Sequence, residues 1–166
     1  MGPVAEISQP ERVAIIGAGV IGAAWAARWI LCGSDALVYD PGPETERIVT
    51  EVAENARHSW ERMGLAPVRE GSLTITKSIE EATDEVSLIQ ESVPESVNLK
   101  KQVLEQIEKS APESALIASS TSGLLPSELQ EEMRYPERFL VGHPFNPVYL
   151  LPMVCLLYTS PSPRDS

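Results

Sequence analysis

Gly17-Ala-Gly19-Val-Ile-Gly22 limits what this chain can fold into more than any other run of its residues. The run follows the apolar, β-branched segment Val13–Ile16 and opens a helical pattern that continues from Val20 to Cys32. Three glycines at this spacing, after a strand and before a helix, are what a dinucleotide-binding turn requires. The first permits the tight turn, the second lets the backbone approach a pyrophosphate, and the third lets helix and strand pack closely. Backbone N–H groups at the helix start then face the phosphate anion. About twenty residues further on, Asp40 closes a second strand, Ala36–Tyr39, where a carboxylate accepts hydrogen bonds from adenosine ribose hydroxyls and repels a 2′-phosphate. The combination predicts NAD as cofactor, with Gly17, Ala18, Gly19, Val20, Ile21, Gly22 and Asp40 as the residues that bind it.

The same strand-then-helix alternation continues down the chain. A helix is expected from Thr45 to Met63, with Ile48, Val52, Ala56 and Trp60 near helical spacing and Gly64 at its end. Leu73–Thr76, Val86–Ile89, Leu116–Ala118 and Phe139–Val141 read as strands, and Val97–Lys109 and Ser127–Glu132 as helices. Strand and helix in alternation predict an α/β fold, a Rossmann-type doubly wound, mainly parallel sheet covered on both faces. With 43% hydrophobic residues the chain has enough apolar side chain for one domain core. A net charge of -11 argues against nucleic acid or an anionic membrane surface as partner, which leaves a small-molecule substrate. No apolar run reaches the length of a membrane span, and Met1 to Glu11 lacks the pattern of a secretory signal, so a cytoplasmic location is expected. Cys32 and Cys155 are the only cysteines; they offer neither a disulfide framework nor a Cys-based metal site, and no metal is expected. Cys32 reads as a small buried hydrophobe. Trp25 and Trp29, four apart on the first helix, read as core or subunit-interface residues.

The end of the chain is of a different kind. Cys155 to Asp165 back-translates into the adapter DNA ligated in transposase-based sequencing libraries, so the run from 155 to 166 is set apart as a non-native tail. The expected organisation is an N-terminal extension at 1–11, an NAD-binding domain at 12–154 truncated at its end, and the tail. On this reading the chain is a fragment of a longer protein.

Hydride transfer from an alcohol also needs a base for the hydroxyl proton, and histidine suits that role because its ordinary pKa lies near neutrality. His58 lies in the polar helical segment Asn55-Ala-Arg-His-Ser59 and reads as a surface residue. His143 follows a strand and precedes a proline-restricted loop, at the sheet edge where open α/β folds bind ligands. Together with the Ser/Thr-rich stretch Ser119-Ser-Thr-Ser122, it forms a candidate proton-transfer site.

Gly17 to Gly22, Gln90-Glu-Ser-Val-Pro-Glu95, Ser119 to Leu124 and Gly142 to Pro147 resemble the NAD-binding domain of the 3-hydroxyacyl-CoA dehydrogenase superfamily, across Val13 to Val154. The resemblance implies NAD-dependent oxidation of a secondary alcohol, with His143 as catalytic base and Ser122 beside the substrate oxygen. It also implies that Glu95, Lys100 and Asn146 contact the nicotinamide half of the cofactor, and that the whole protein is a homodimer with a helical C-terminal domain. Ala118 to Ser127 and His143 to Pro152 are most similar to the members that oxidise L-carnitine, whereas members acting on acyl-CoA usually carry Phe where Pro144 stands. A short 3-hydroxyacyl-CoA or a sugar acid such as gulonate remains an alternative substrate, and a non-catalytic NAD-binding module an alternative class. The family places a glutamate twelve residues after its histidine; position 155 here is Cys, the first residue of the tail.

Overall fold

The computed structural model describes residues 9–157. Seven strands form one sheet in the order β3-β2-β1-β4-β5-β6-β7, where β1 is Arg12–Ile16, β2 Asp35–Tyr39, β3 Leu73–Ile75, β4 Leu88–Glu91, β5 Leu116–Ser119, β6 Phe139–Pro144 and β7 Val154–Leu157. All neighbours run parallel except β7, which is antiparallel to β6. The helices are α1 (Val20–Leu31), α2 (Thr45–Arg62), α3 (Ile79–Thr83), α4 (Val97–Ser110) and α5 (Pro126–Gln130), with a 3-10 turn at Pro136–Arg138. This is the doubly wound α/β sheet that the alternation implied. The strand order reverses between β1 and β4, the kind of point at which open α/β sheets bind ligands.

Strand alternation divides the core into two layers. Val13 and Ile15 of β1 pack with α1 and α2, while Ala14 and Ile16 point to the layer built from α3, α4 and α5. α2 buries Val49, Ala53 and Ala56 completely and leaves Ile48, Val52 and Trp60 partly covered. Its inner face is thus rolled from the expected stripe, toward the core layer it shares with the alanines of α1. Trp25 and Trp29 stack with centroids 6.3 Å apart and pack in this layer. Among the described residues, no helix is long and apolar enough to cross a membrane.

Several local expectations are corrected. β4 lies two residues later than Val86–Ile89 and ends on the fully buried Glu91. β6 continues through His143 to Pro144, so the histidine stands within the strand rather than after it. The short α3 was not apparent, although Ser78-Ile-Glu-Glu81 has capping-box spacing and the Ser78 hydroxyl accepts a hydrogen bond from the Glu81 amide at 3.1 Å. Cys32, the C-cap of α1, is partly exposed rather than buried. Most of the 1–11 extension and of the 155–166 tail falls outside the described residues, but Cys155 lies inside β7.

Candidate active site

The glycine turn sits where β1 meets α1, and its three glycines answer to different constraints. Gly17 has φ +94°, and a Cβ there would lie 2.7 Å from the Ser92 carbonyl group in the β4–α4 loop. At Gly22 a Cβ would meet the Gly17 carbonyl oxygen at 1.8 Å. Around Gly19, by contrast, nothing lies within 4 Å of the added carbon. The protein does not need glycine there for its own packing, so the empty space is the cradle that a pyrophosphate would fill. The helix start agrees with that use. α1 begins with no side-chain cap and no acid in its first turn, and its first helical bond is from the Ala23 amide to the Gly19 carbonyl at 2.9 Å. The N–H groups of Val20, Ile21 and Gly22 therefore remain for an anion.

Asp40 is held ready beside this turn. Its Oδ2 accepts from the Ala18 amide at 2.8 Å and its Oδ1 from the Gly42 amide at 2.7 Å. Each oxygen keeps a lone pair for a ribose hydroxyl. Gly17 to Gly22 and Asp40 thus share one edge of the sheet and fit a dinucleotide.

The other half of the site lies at the ends of β5 and β6. Ser119 is in register with Val141, which brings His143 level with the residues just beyond β5. The His143 Nδ1 lies 3.2 Å from the Ser120 carbonyl oxygen. A carbonyl can only accept, so this contact places the proton on Nδ1 and leaves the Nε2 lone pair free to take a proton. Ser122 is exposed on the adjoining loop, and its amide donates to Glu95 Oε1 at 2.9 Å. Asn146 is exposed in the loop after β6, which is tied to the helical layer by the Trp60 indole N–H donating to the Tyr149 carbonyl at 2.7 Å. His58 is exposed on α2, away from this edge, as its polar surroundings implied.

Two expected cofactor contacts have other duties. Glu95 Oε1 accepts from the Thr121 hydroxyl at 2.6 Å and from the Ser122 and Gly123 amides at 2.9 Å each. It staples the serine loop in place. Lys100 is only 1% exposed, and its Nζ donates to both Glu91 oxygens, at 2.8 and 3.0 Å, and to the Val93 carbonyl at 3.1 Å. Its side chain is turned inward, toward Glu91. Glu91 has no role that its sequence context suggests, and Ser119 and Thr121 serve as structural hydrogen-bond partners rather than as individual reactive groups. A signal was present: Lys100 falls on the apolar stripe of α4 with Val97, Leu104 and Ile107, where a lone lysine needs a buried anion.

Burial works to raise the Glu95 pKa, but hydrogen bonds from the Thr121 hydroxyl and the Gly123 and Ser122 amides, with Lys100 close by, bring it from 4.5 down to about 2. A carboxylate depressed in the folded state contributes stability that is complete above the unfolded value and is lost as pH falls through the folded one. The chain should therefore lose melting temperature between about pH 4.5 and 2, and Glu95→Gln should flatten that slope. Thermal unfolding followed at several pH values checks this; an equal slope in both proteins would refute it.

Glycine turn, Asp40 and open helix start together define a Rossmann-type dinucleotide-binding domain. The chain belongs to the 3-hydroxyacyl-CoA dehydrogenase family: the profile of that family's NAD-binding domain matches residues 12–164. Among curated relatives, an L-carnitine dehydrogenase/betainyl-CoA thioesterase from Rhizobium sp. is 53% identical over 147 residues, a stretch covering 88% of this chain and 30% of the relative. An L-carnitine dehydrogenase from Mesorhizobium japonicum is 51% identical over 147 residues, covering 87% of this chain and 40% of its own length. The chain thus spans well under half the length of either relative. Among solved structures, 5-formyl-3-hydroxy-2-methylpyridine 4-carboxylic acid 5-dehydrogenase, an NAD+-dependent dismutase, superposes with a TM-score of 0.84 at 28% identity, covering 95% of this chain and 52% of that one. Escherichia coli 3-hydroxybutyryl-CoA dehydrogenase shares the fold, with a TM-score of 0.78 at 24% identity over 90% of this chain and 32% of that one.

Proposed function

We propose that this domain serves an NAD-dependent dehydrogenase that oxidises L-carnitine to 3-dehydrocarnitine in the cytoplasm, as a homodimer. The observation that carries the substrate is identity above 50% to bacterial proteins named L-carnitine dehydrogenase, over nearly the whole described domain. The chemistry rests on the edge just described. Bound NAD supplies the hydride acceptor. Gly17 to Gly22 hold the pyrophosphate and Asp40 the adenosine ribose, while Glu95 and Asn146 border the nicotinamide half. Ser122 positions the substrate hydroxyl, and His143 Nε2 takes its proton as Nδ1 stays bonded to the Ser120 carbonyl.

Position 155 matters to that step. In the β6–β7 ladder, Cys155 is the direct partner of His143. A glutamate there, twelve residues after the histidine, would orient the ring and stabilise the imidazolium; a thiol does not reproduce a carboxylate in that role. The run from Cys155 onward is read as a non-native tail, and the chain as it stands is nearly inactive. Leu151, Met153, Val154 and Leu156 expose apolar surface along this edge.

The test is to amplify the source locus across codon 154, express the frame it contains and assay NADH formation with L-carnitine, 3-hydroxybutyryl-CoA and gulonate in competition. The expected result is a frame continuing with Glu at 155 and a preference for carnitine. A frame that continues as Cys155-Leu-Leu-Tyr-Thr would overturn the tail reading and leave a cofactor-binding module. Preference for another alcohol would overturn the substrate.

A further inference from the structure

Beneath the serine loop lies a buried ionic chain that spans two strand ends. Glu91 is 0% exposed at the end of β4, and each of its oxygens is occupied: Oε1 accepts from Lys100 Nζ and from the Val93 amide at 2.7 Å, and Oε2 from Lys100 and from the Ser119 hydroxyl. Ser119 Oγ in turn accepts from the Thr121 amide at 3.3 Å, and the Glu91 carbonyl accepts from the Ser120 amide at 2.8 Å. On its other side, Lys100 Nζ lies 3.6 Å from Glu95 Oε2, and Glu95 Oε1 gathers the Thr121 hydroxyl with the Ser122 and Gly123 amides. The chain of contacts also reaches the glycine turn, because Val93 and Ser92 are the backbone against which Gly17 rests.

Stability alone does not account for such an arrangement. Desolvating a buried ion pair costs about as much as the attraction returns, and well-packed apolar residues often serve as well. What apolar residues cannot do is fix the angle of a second carboxylate. We propose that the Glu91–Lys100 pair is a positioning device: it anchors Glu95, and through Glu95 it sets the backbone of the loop that presents Ser122 toward His143, in register with the glycine turn. Glu91 and Lys100 act as positioning residues from within the core, Glu91 0% and Lys100 1% exposed. The role assigned to Ser122 is that of the proposed dehydrogenase, but the order of the loop is a property of this chain and can be read without turnover.

The decisive variant is the double substitution Glu91→Met with Lys100→Met, which leaves no orphaned charge. Its melting temperature should stay within several degrees of the parent's, while hydrogen exchange at the Ser122 and Gly123 amides accelerates by about tenfold or more. The titration midpoint of Glu95 should move up from about 2. Unchanged exchange and an unchanged midpoint in a folded double variant would overturn the proposal. If that variant does not fold, the unaltered chain still decides: as Glu95 is titrated in acid, the Lys100 Nζ resonance should follow the Ser122 and Gly123 amides with one shared midpoint. A Lys100 signal that stays fixed while the amides move would refute the coupling. None of these readings involves carnitine, so a failed substrate assay and a failed positioning role are separable.

Discussion

Gly19→Val should leave the chain folded and strip it of NAD affinity, whereas Gly22→Val should leave it unfolded. The two glycines belong to one six-residue turn, yet they face different partners. Gly19 has φ -66° and ψ -168°, a conformation open to any L-residue, and an added Cβ meets nothing within 4 Å. Its substitution should shift stability by no more than about 0.5 kcal/mol, as at a surface site. The new isopropyl group then occupies the phosphate cradle, and affinity should fall by at least about a hundredfold, or roughly 2.7 kcal/mol. At Gly22 the added carbon falls 1.8 Å from the Gly17 carbonyl oxygen, inside the helix–turn contact. The turn or α1 must move, and α1 is the helix whose alanines fill the first core layer. That cost exceeds about 4 kcal/mol, a large share of the total stability of a domain this size. Circular dichroism melting and titration with NAD separate the outcomes. A Gly19→Val protein that binds NAD like its parent would remove the pyrophosphate from the turn.

The success of the sequence in placing the central strands has a simple cause. Val13–Ile16 is buried on both faces, so its residues need no partner beyond apolar neighbours and announce themselves as a continuous run. The end of β4 is the opposite case. Gln90 and Glu91 look like the start of a loop, yet both are buried, because Gln90 finds the Ser120 hydroxyl at 2.8 Å and Glu91 finds Lys100. Those partners lie thirty and nine residues away, and no local pattern contains them. The same holds for His143: Gly142, His143 and Pro144 have loop-like composition, and only the antiparallel partner β7 extends the strand through them. At the site, the residues that share a local motif were legible in the glycine turn and Asp40. The residues that act by holding other residues are not legible there: no local motif announces that Lys100 pairs with Glu91.

The pairing of His143 with position 155 leads to the other large effect. In the proposed dehydrogenase, His143→Gln should lower turnover by about a hundredfold to ten-thousandfold, the range general-base catalysis supplies. Glutamine keeps a similar reach and can still donate to the Ser120 carbonyl, so affinity for NAD should change by less than about twofold; on a logarithmic scale that is a few tenths of a kcal/mol. Cysteine in place of the expected glutamate at 155 should act on the same step from one strand away. The ladder sets residue 155 directly opposite His143, and side chains at directly opposed positions of an antiparallel pair lie about 5 Å apart on one face of the sheet. A carboxylate at that distance favours the imidazolium that forms when the base takes its proton, and its loss should cost turnover without costing cofactor binding. Combining the two substitutions distinguishes a partner from a bystander. If residue 155 works only through the histidine, the double variant should be no slower than His143→Gln alone, because residues acting as one unit are not additive. Losses that multiply would instead give residue 155 a contact of its own with the substrate or with the backbone of β6.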